Sequence, residues 1–126
     1  MAVVNINAEM WRAYPEDAAG ESACRFVEVL VCAALDVELG ELRSPERGRR
    51  HVAFARQAAM YLAHVGLGLS LSRVGEHFRR DRTTVAHACA RVEDRRDDAA
   101  ADRVLRYLEA AVRLWLRSAR PLGAAP

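Results

Sequence analysis

Residues 70–92 read SLSRVGEHFRRDRTTVAHACARV. Ser70 offers a side-chain oxygen to cap a short helix from Leu71 to Phe78, whose Leu71, Val74 and Phe78 fall on one face. Arg79-Arg80 then makes a turn, and Asp81 is a second N-cap for a helix running to about Arg96. Two capped helices with a short connection predict a helix-turn-helix at about residues 71–96. On a wheel of about 100° per residue, Val85, Cys89 and Val92 share a narrow sector that must face the core. Thr83 and His87 lie almost opposite, with Thr84 and Arg91 beside them.

Working outward, a helix is predicted from about His51 to Val65, with Phe54, Ala58, Tyr61, Leu62 and Val65 on one side. Arg56, Met60 and His64 point roughly opposite, and Gly66 and Gly68 end the segment. Before it comes a basic loop, Arg43-Ser44-Pro45-Glu46-Arg47-Gly48-Arg49-Arg50, with Pro and Gly punctuation. Further upstream, Phe26, Val27, Leu30, Ala34 and Val37 mark a helix from about Ser22 to Leu39, with Gly40 as its stop. Downstream, Asp97-Asp98 introduces a last helix with a stripe of Val104, Leu105, Leu108, Val112 and Trp115. The expected fold is therefore all-α, a compact bundle of about five helices that contains the helix-turn-helix. Residues 1–20 read as a flexible acidic arm, 21–120 as the helical domain and 121–126 as a disordered tail.

The composition supports this reading. The chain has 126 residues, enough for one modest core, and its Ala and Leu content favours helix over strand. No apolar run reaches the ~20 residues of a membrane helix, and the N-terminal stretch lacks the pattern of a signal peptide. A cytoplasmic, nucleoid-associated protein without membrane contact is expected. Cys24, Cys32 and Cys89 have no CxxC spacing and read as small buried hydrophobes. His51, His64, His77 and His87 form no ligand pattern, so neither metal nor cofactor is expected. No nucleophile–base pair or carboxylate dyad is recognisable, and GxxxxGK[ST] does not occur, so the chain is not expected to be an enzyme or to hydrolyse ATP.

Charge is distributed unevenly. The net charge is +2, but residues 1–42 carry −6, residues 43–96 carry +7 and residues 97–126 carry +1. A basic middle segment is what a phosphate-facing surface requires. All 19 basic residues apart from histidine are Arg, which suits bidentate phosphate or guanine contacts, although a GC-rich coding bias gives the same preference. The outward face of the helix after Asp81 is small and polar near its start, whereas Glu93 and Asp94 near its end would repel phosphate. Such a helix would enter a major groove by its N-terminal half, reading duplex DNA through Arg80-Asp81-Arg82-Thr83-Thr84 and, one turn on, His87. The positive helix end adds attraction for phosphates.

Three blocks also carry a family resemblance: ARQAAMYLA at 55–63, LSLSRVG at 69–75 and FRRDRTTVAHAC at 78–89. In this order and spacing the chain resembles the C-terminal DNA-binding domain of the bacterial replication initiator DnaA, from about Phe26 to Asp98. The family pattern is an ARQ-A-MYL helix, an SL-x-x-IG helix and a GRDHTTV-x-HA recognition helix. The resemblance implies that Asp81, Thr83 and Thr84 read bases and backbone and that Ala88 packs on thymine methyls. It implies that Leu71 and Ser72 touch the DNA backbone, that Arg56 and Gln57 take the places of the family's Arg-Gln pair, and that His64 faces phosphate. A minor-groove arginine of the family corresponds to Arg47 or Arg49, the loop here being one residue longer. Arg82 replaces the signature His, a change that could exchange a thymine contact for guanine or simply add a phosphate contact, and Arg79-Arg80 is one residue shorter than Gly-Gly-Arg.

The function expected on these grounds is sequence-specific duplex DNA binding at initiator-box-like sites, regulating replication initiation or transcription. The alternative is a protein-interaction adaptor that modulates the initiator or a DnaA-related regulatory ATPase. It would do so through the acidic N-terminal segment and the last helix. No heptad seam is present, so a monomer is the default.

Overall fold

The helix Arg50–Tyr61 (here α3) lies at the centre of the described helices in a computed structural model that describes residues 16–46 and 48–118. Before it come α1 (Glu16–Leu35) and the short α2 (Leu39–Arg43). After it come α4 (Leu71–Phe78), α5 (Arg82–Arg95) and α6 (Ala99–Ser118). All described elements are helical, so the fold is the all-α bundle with a helix-turn-helix that the pattern implied. Among the described residues there are six helices, where the pattern implied about five. α1 begins at Glu16, not Ser22, and stops at Leu35, not Leu39.

The early stop has a local cause. Asp36 adopts a left-handed conformation (φ 54°), which an aspartate tolerates better than most residues, and the Val37 N–H donates to the Cys32 carbonyl at 3.1 Å. Val37 is buried just past the end, as the hydrophobic partner of such a cap should be. Gly40, read as the stop, instead lies inside α2, whose start is a capping box between Glu38 and Glu41.

α3 packs on α1, α2 and α5, so no side of it faces water for long. Met60 is therefore buried with Ala55, Ala58, Ala59 and Tyr61, not outward as a one-sided stripe would put it. The helix ends in a widened turn at Leu62–Gly66, where the Leu67 N–H reaches back to the Leu62 carbonyl at 2.9 Å.

α6 is capped by Asp98, which accepts from the Ala101 N–H at 3.0 Å. Its Leu105, Leu108, Val112 and Leu116 are buried, and Trp115 stacks on Phe26 of α1 with ring centroids 4.7 Å apart. A polar tie reinforces this end. Arg96 donates to Asp102 at 2.7 Å, to both carboxylate oxygens of Glu109 at 3.0 Å and to the Tyr61 hydroxyl at 3.1 Å. Tyr61 in turn donates to Glu93 at 2.6 Å. All three cysteines are free thiols packed in or against the core.

Candidate nucleic-acid interface

Val74 of α4 and Val85 and Val92 of α5 are fully buried in the common core, each contributing about 1.5–3 kcal/mol. Both caps lie where the sequence placed them. Ser70 accepts from the Arg73 N–H at 3.1 Å, and Asp81 accepts from the Thr84 N–H at 2.8 Å. The Thr84 backbone bond holds the Asp81 carboxyl below the usual carboxylate range.

The turn between them is unusually tight. Both Arg79 and Arg80 donate their N–H groups to the Gly75 carbonyl, and Arg79 is left-handed at φ 57°. A Cβ at Gly75 would fall inside van der Waals contact of the Arg80 carbonyl oxygen, so only glycine fits there. Arg79 carries a conformational cost of roughly 1–2 kcal/mol that a glycine would avoid.

With the turn fixed, one face of α5 is presented outward. Arg82, Thr83, Thr84, His87 and Arg91 are exposed, while Val85, Ala88 and Val92 are buried behind them. Ser72 is exposed at the start of α4, and Leu71 beside it is half-buried against the core. Gln57 is half-buried on α3. His64 lies with Nδ1 2.7 Å from the Leu69 carbonyl; a carbonyl only accepts, so Nδ1 carries the proton and Nε2 is the remaining ring nitrogen.

Two of the expected DNA contacts, Ala88 and Arg56, are buried in the bundle. Ala88 is only 4 % exposed, because it sits about 60° from Val85 on the wheel and so belongs to the core sector. It packs within the core cluster of the bundle. Arg56 is 8 % exposed, and its guanidinium donates to the Leu42 and Glu41 carbonyls, both at 2.9 Å. Burial, with the nearby charge of Arg80, pulls its pKa down. Arg56 thus ties down the root of the basic loop.

The loop is anchored from the other side by Arg80. Its guanidinium donates to the Ser44 carbonyl at 3.3 Å as well as to the Phe78 and Arg79 carbonyls. Arg80 therefore links the helix-turn-helix turn to the loop. Arg49 is exposed and paired with Glu41 at 2.9 Å; Arg47 lies outside the described residues. Residues the sequence argument had not placed at the site are Arg50 and Arg79, both exposed, together with Arg43. Their membership of the +7 segment was the available signal. Among the described residues no group of three His, Cys, Asp or Glu side chains is placed to hold a metal ion. No described helix is long and apolar enough to cross a membrane.

A capped α4, a glycine-dependent turn and an α5 with an outward polar face define a helix-turn-helix protein. Residues 25–92 match the family described as "Bacterial dnaA protein helix-turn-helix", and the chain belongs to that family. Similar curated proteins are chromosomal replication initiator proteins DnaA. That of Thermoanaerobacter sp. is 36 % identical over 74 residues, 59 % of this chain and 16 % of the relative. That of Thermomicrobium roseum is 46 % identical over 65 residues, 51 % of this chain and 14 % of the relative. That of Nostoc sp. is 30 % identical over 103 residues, 80 % of this chain and 22 % of the relative. The chain thus spans about a fifth or less of the length of these relatives.

Proposed function

We propose that this chain binds duplex DNA at initiator-box-like sites and regulates replication initiation or transcription there, without hydrolysing ATP itself. The observation that carries the reading is the outward face of α5: Arg82, Thr83, Thr84 and His87 are exposed together at the helix start, backed by buried Val85 and Val92. Thr83 and Thr84 are small enough to approach base edges, and Arg82 can donate twice to a guanine or once to a phosphate. Ser72 of α4 and the arginines of the 43–50 loop supply backbone contacts, which position the protein without reading sequence. Gln57 is a secondary candidate for phosphate, because its amide N–H groups can donate to phosphate oxygens.

The test is a fluorescence anisotropy titration of an initiator-box duplex and a scrambled duplex at two salt concentrations. Preference for the box, with affinity falling steeply as salt rises, supports specific recognition. Thr83→Ala should then cost on the order of 1–3 kcal/mol on the box and little on the scrambled duplex. Absence of binding at low salt would remove the reading.

One observation favours a second reading, the adaptor that modulates an initiator or a related ATPase. Tyr107 and Leu114 of α6 are 71 % and 63 % exposed, and their spacing puts them on one outward face. Binding of DNA without sequence preference, together with loss of partner capture in Leu114→Arg, would favour it.

A further inference from the structure

Glu28 is a carboxylate in the middle of an apolar stripe of α1, 2 % exposed. Its neighbours Val27 and Val31 are fully buried. An ionised group placed there needs partners, and it has three bonds from two distant segments. Arg43, the last residue of α2 and the first of the basic loop, donates through Nε to Oε2 at 3.1 Å and through Nη2 to Oε1 at 3.0 Å. His77 of α4 places Nε2 3.0 Å from the same Oε1. A carboxylate has two in-plane lone pairs on each oxygen, so it can accept the fork from Arg43 and the ring nitrogen of His77 at once, and it restricts their relative orientation. These bonds hold the carboxyl below its ordinary range despite the burial, which opposes ionisation.

We propose that Glu28 is a positioning residue for the DNA interface: it fixes the basic loop at a set angle to the helix-turn-helix, so that loop and recognition helix engage one duplex together. The inference rests on the DNA-binding reading. Three ties converge on the same joint, and each links a different pair. Glu28 joins Arg43 to α4, Arg56 holds the Glu41 and Leu42 carbonyls from α3, and Arg80 holds the Ser44 carbonyl from the turn. Of the three, the Glu28 and Arg80 ties both connect the loop to the helix-turn-helix, and Glu28 does so from α1 through a buried carboxylate. Arg43 is half exposed, and the carboxylate holds its guanidinium against α1 rather than in solvent. The carboxylate forms part of the lining of a cleft of about 730 Å³ between α1 and α4, so the joint is not filled by apolar packing that would set the angle without it.

A double-mutant cycle separates positioning from plain stability. Arg49→Ala is measured in the wild type and in Glu28→Gln on the box duplex, and Thr83→Ala is measured in the same two backgrounds. If Glu28 positions the loop, Arg49→Ala weakens wild-type binding about five- to tenfold. In Glu28→Gln it does so by less than about twofold, because the loop has already lost its place, while the effect of Thr83→Ala is unchanged. Equal effects of Arg49→Ala in both backgrounds overturn the proposal. If Glu28→Gln does not fold, Arg43→Gln enters the same cycle. It removes the tie from its exposed end and leaves Glu28 with His77.

Amide hydrogen exchange without DNA gives a second readout. Faster exchange confined to residues 43–50 in Glu28→Gln, with 71–95 unchanged, supports the joint; a uniform rise means general destabilisation and overturns it. Should the wild type bind no duplex, the DNA reading fails on its own, and the exchange pattern still decides whether Glu28 orders the loop.

Discussion

Gly75→Ala reverses the usual sign of a helical substitution. Within a helix, replacing Gly by Ala normally stabilises by about 1 kcal/mol, because alanine loses less backbone freedom on folding. At Gly75 the new methyl would collide with the Arg80 carbonyl oxygen, with the Arg80 and Asp81 carbonyl carbons close behind at 3.5 and 3.6 Å. These are backbone atoms, so no rotamer change relieves the contact. The turn must move, which costs about 1–3 kcal/mol by the standard of an overpacked core. Movement also stretches the Arg80 N–H bond to the Gly75 carbonyl, now 2.9 Å, worth about 1 kcal/mol. The net expectation is destabilisation on the order of 1–3 kcal/mol, a fall in Tm of roughly 4–8 °C for each kcal/mol in a domain of this size. Gly40→Ala is the matched control, since nothing lies within 4 Å of a Cβ there and the residue sits inside α2. Thermal melts followed by far-UV circular dichroism should show Tm falling for Gly75→Ala and rising or holding for Gly40→Ala. A rise for Gly75→Ala would refute the close-turn argument, and with it the geometry that presents α5.

Three further outcomes follow from the same coordinates. Arg91→Ala should lower the slope of log affinity against log salt by about 0.9 if this exposed side chain meets one phosphate, leaving box preference intact; an unchanged slope places it off the DNA. Tyr61→Phe removes bonds to Glu93 and Arg96 from a buried hydroxyl and should destabilise by about 1–3 kcal/mol. Burial and the adjacent Glu93 push the Tyr61 pKa up to about 12. Its contribution is therefore complete below the ordinary tyrosine value and lost as pH rises through the folded one, which an ultraviolet titration of the phenolates would follow. Glu28 works in the opposite direction. Its folded pKa is depressed, so its stabilisation is present above the ordinary glutamate range and disappears as pH falls through the lower, folded value. Melts between pH 6 and pH 3, expected on that basis to lose part of their acid dependence in Glu28→Gln, would count against the clamp if the two profiles stayed parallel.

The sequence was most legible where the physics is local. Ser70 and Asp81 cap their helices through bonds to N–H groups three residues on, so neighbouring letters suffice to find them. The outward set Thr83, Thr84, His87 and Arg91 followed from helical periodicity alone. Ala88 was also within reach of the wheel, which puts it in the buried sector. Family resemblance pointed it at DNA, and in the fold it is buried with Val85. The end of α1 was less legible. Gly40 looks like a stop, whereas the chain stops four residues earlier at a left-handed Asp36, whose side-chain type signals such a position only weakly.

By itself, then, the sequence determined the helix-turn-helix: its caps, its short turn and the polar face of α5 depend on residues within a few positions of one another. What only the tertiary structure decided were the fates of Arg56 and Glu28, two charged residues on helices that looked amphipathic. Arg56 is buried because α3 is covered on several sides, and its acceptors lie 14 and 15 residues away. Glu28 finds Arg43 and His77 across 15 and 49 residues of chain. Periodicity reports which side of a helix is apolar; it carries no information about which distant groups will arrive to satisfy a charge, and that is settled only when the helices pack.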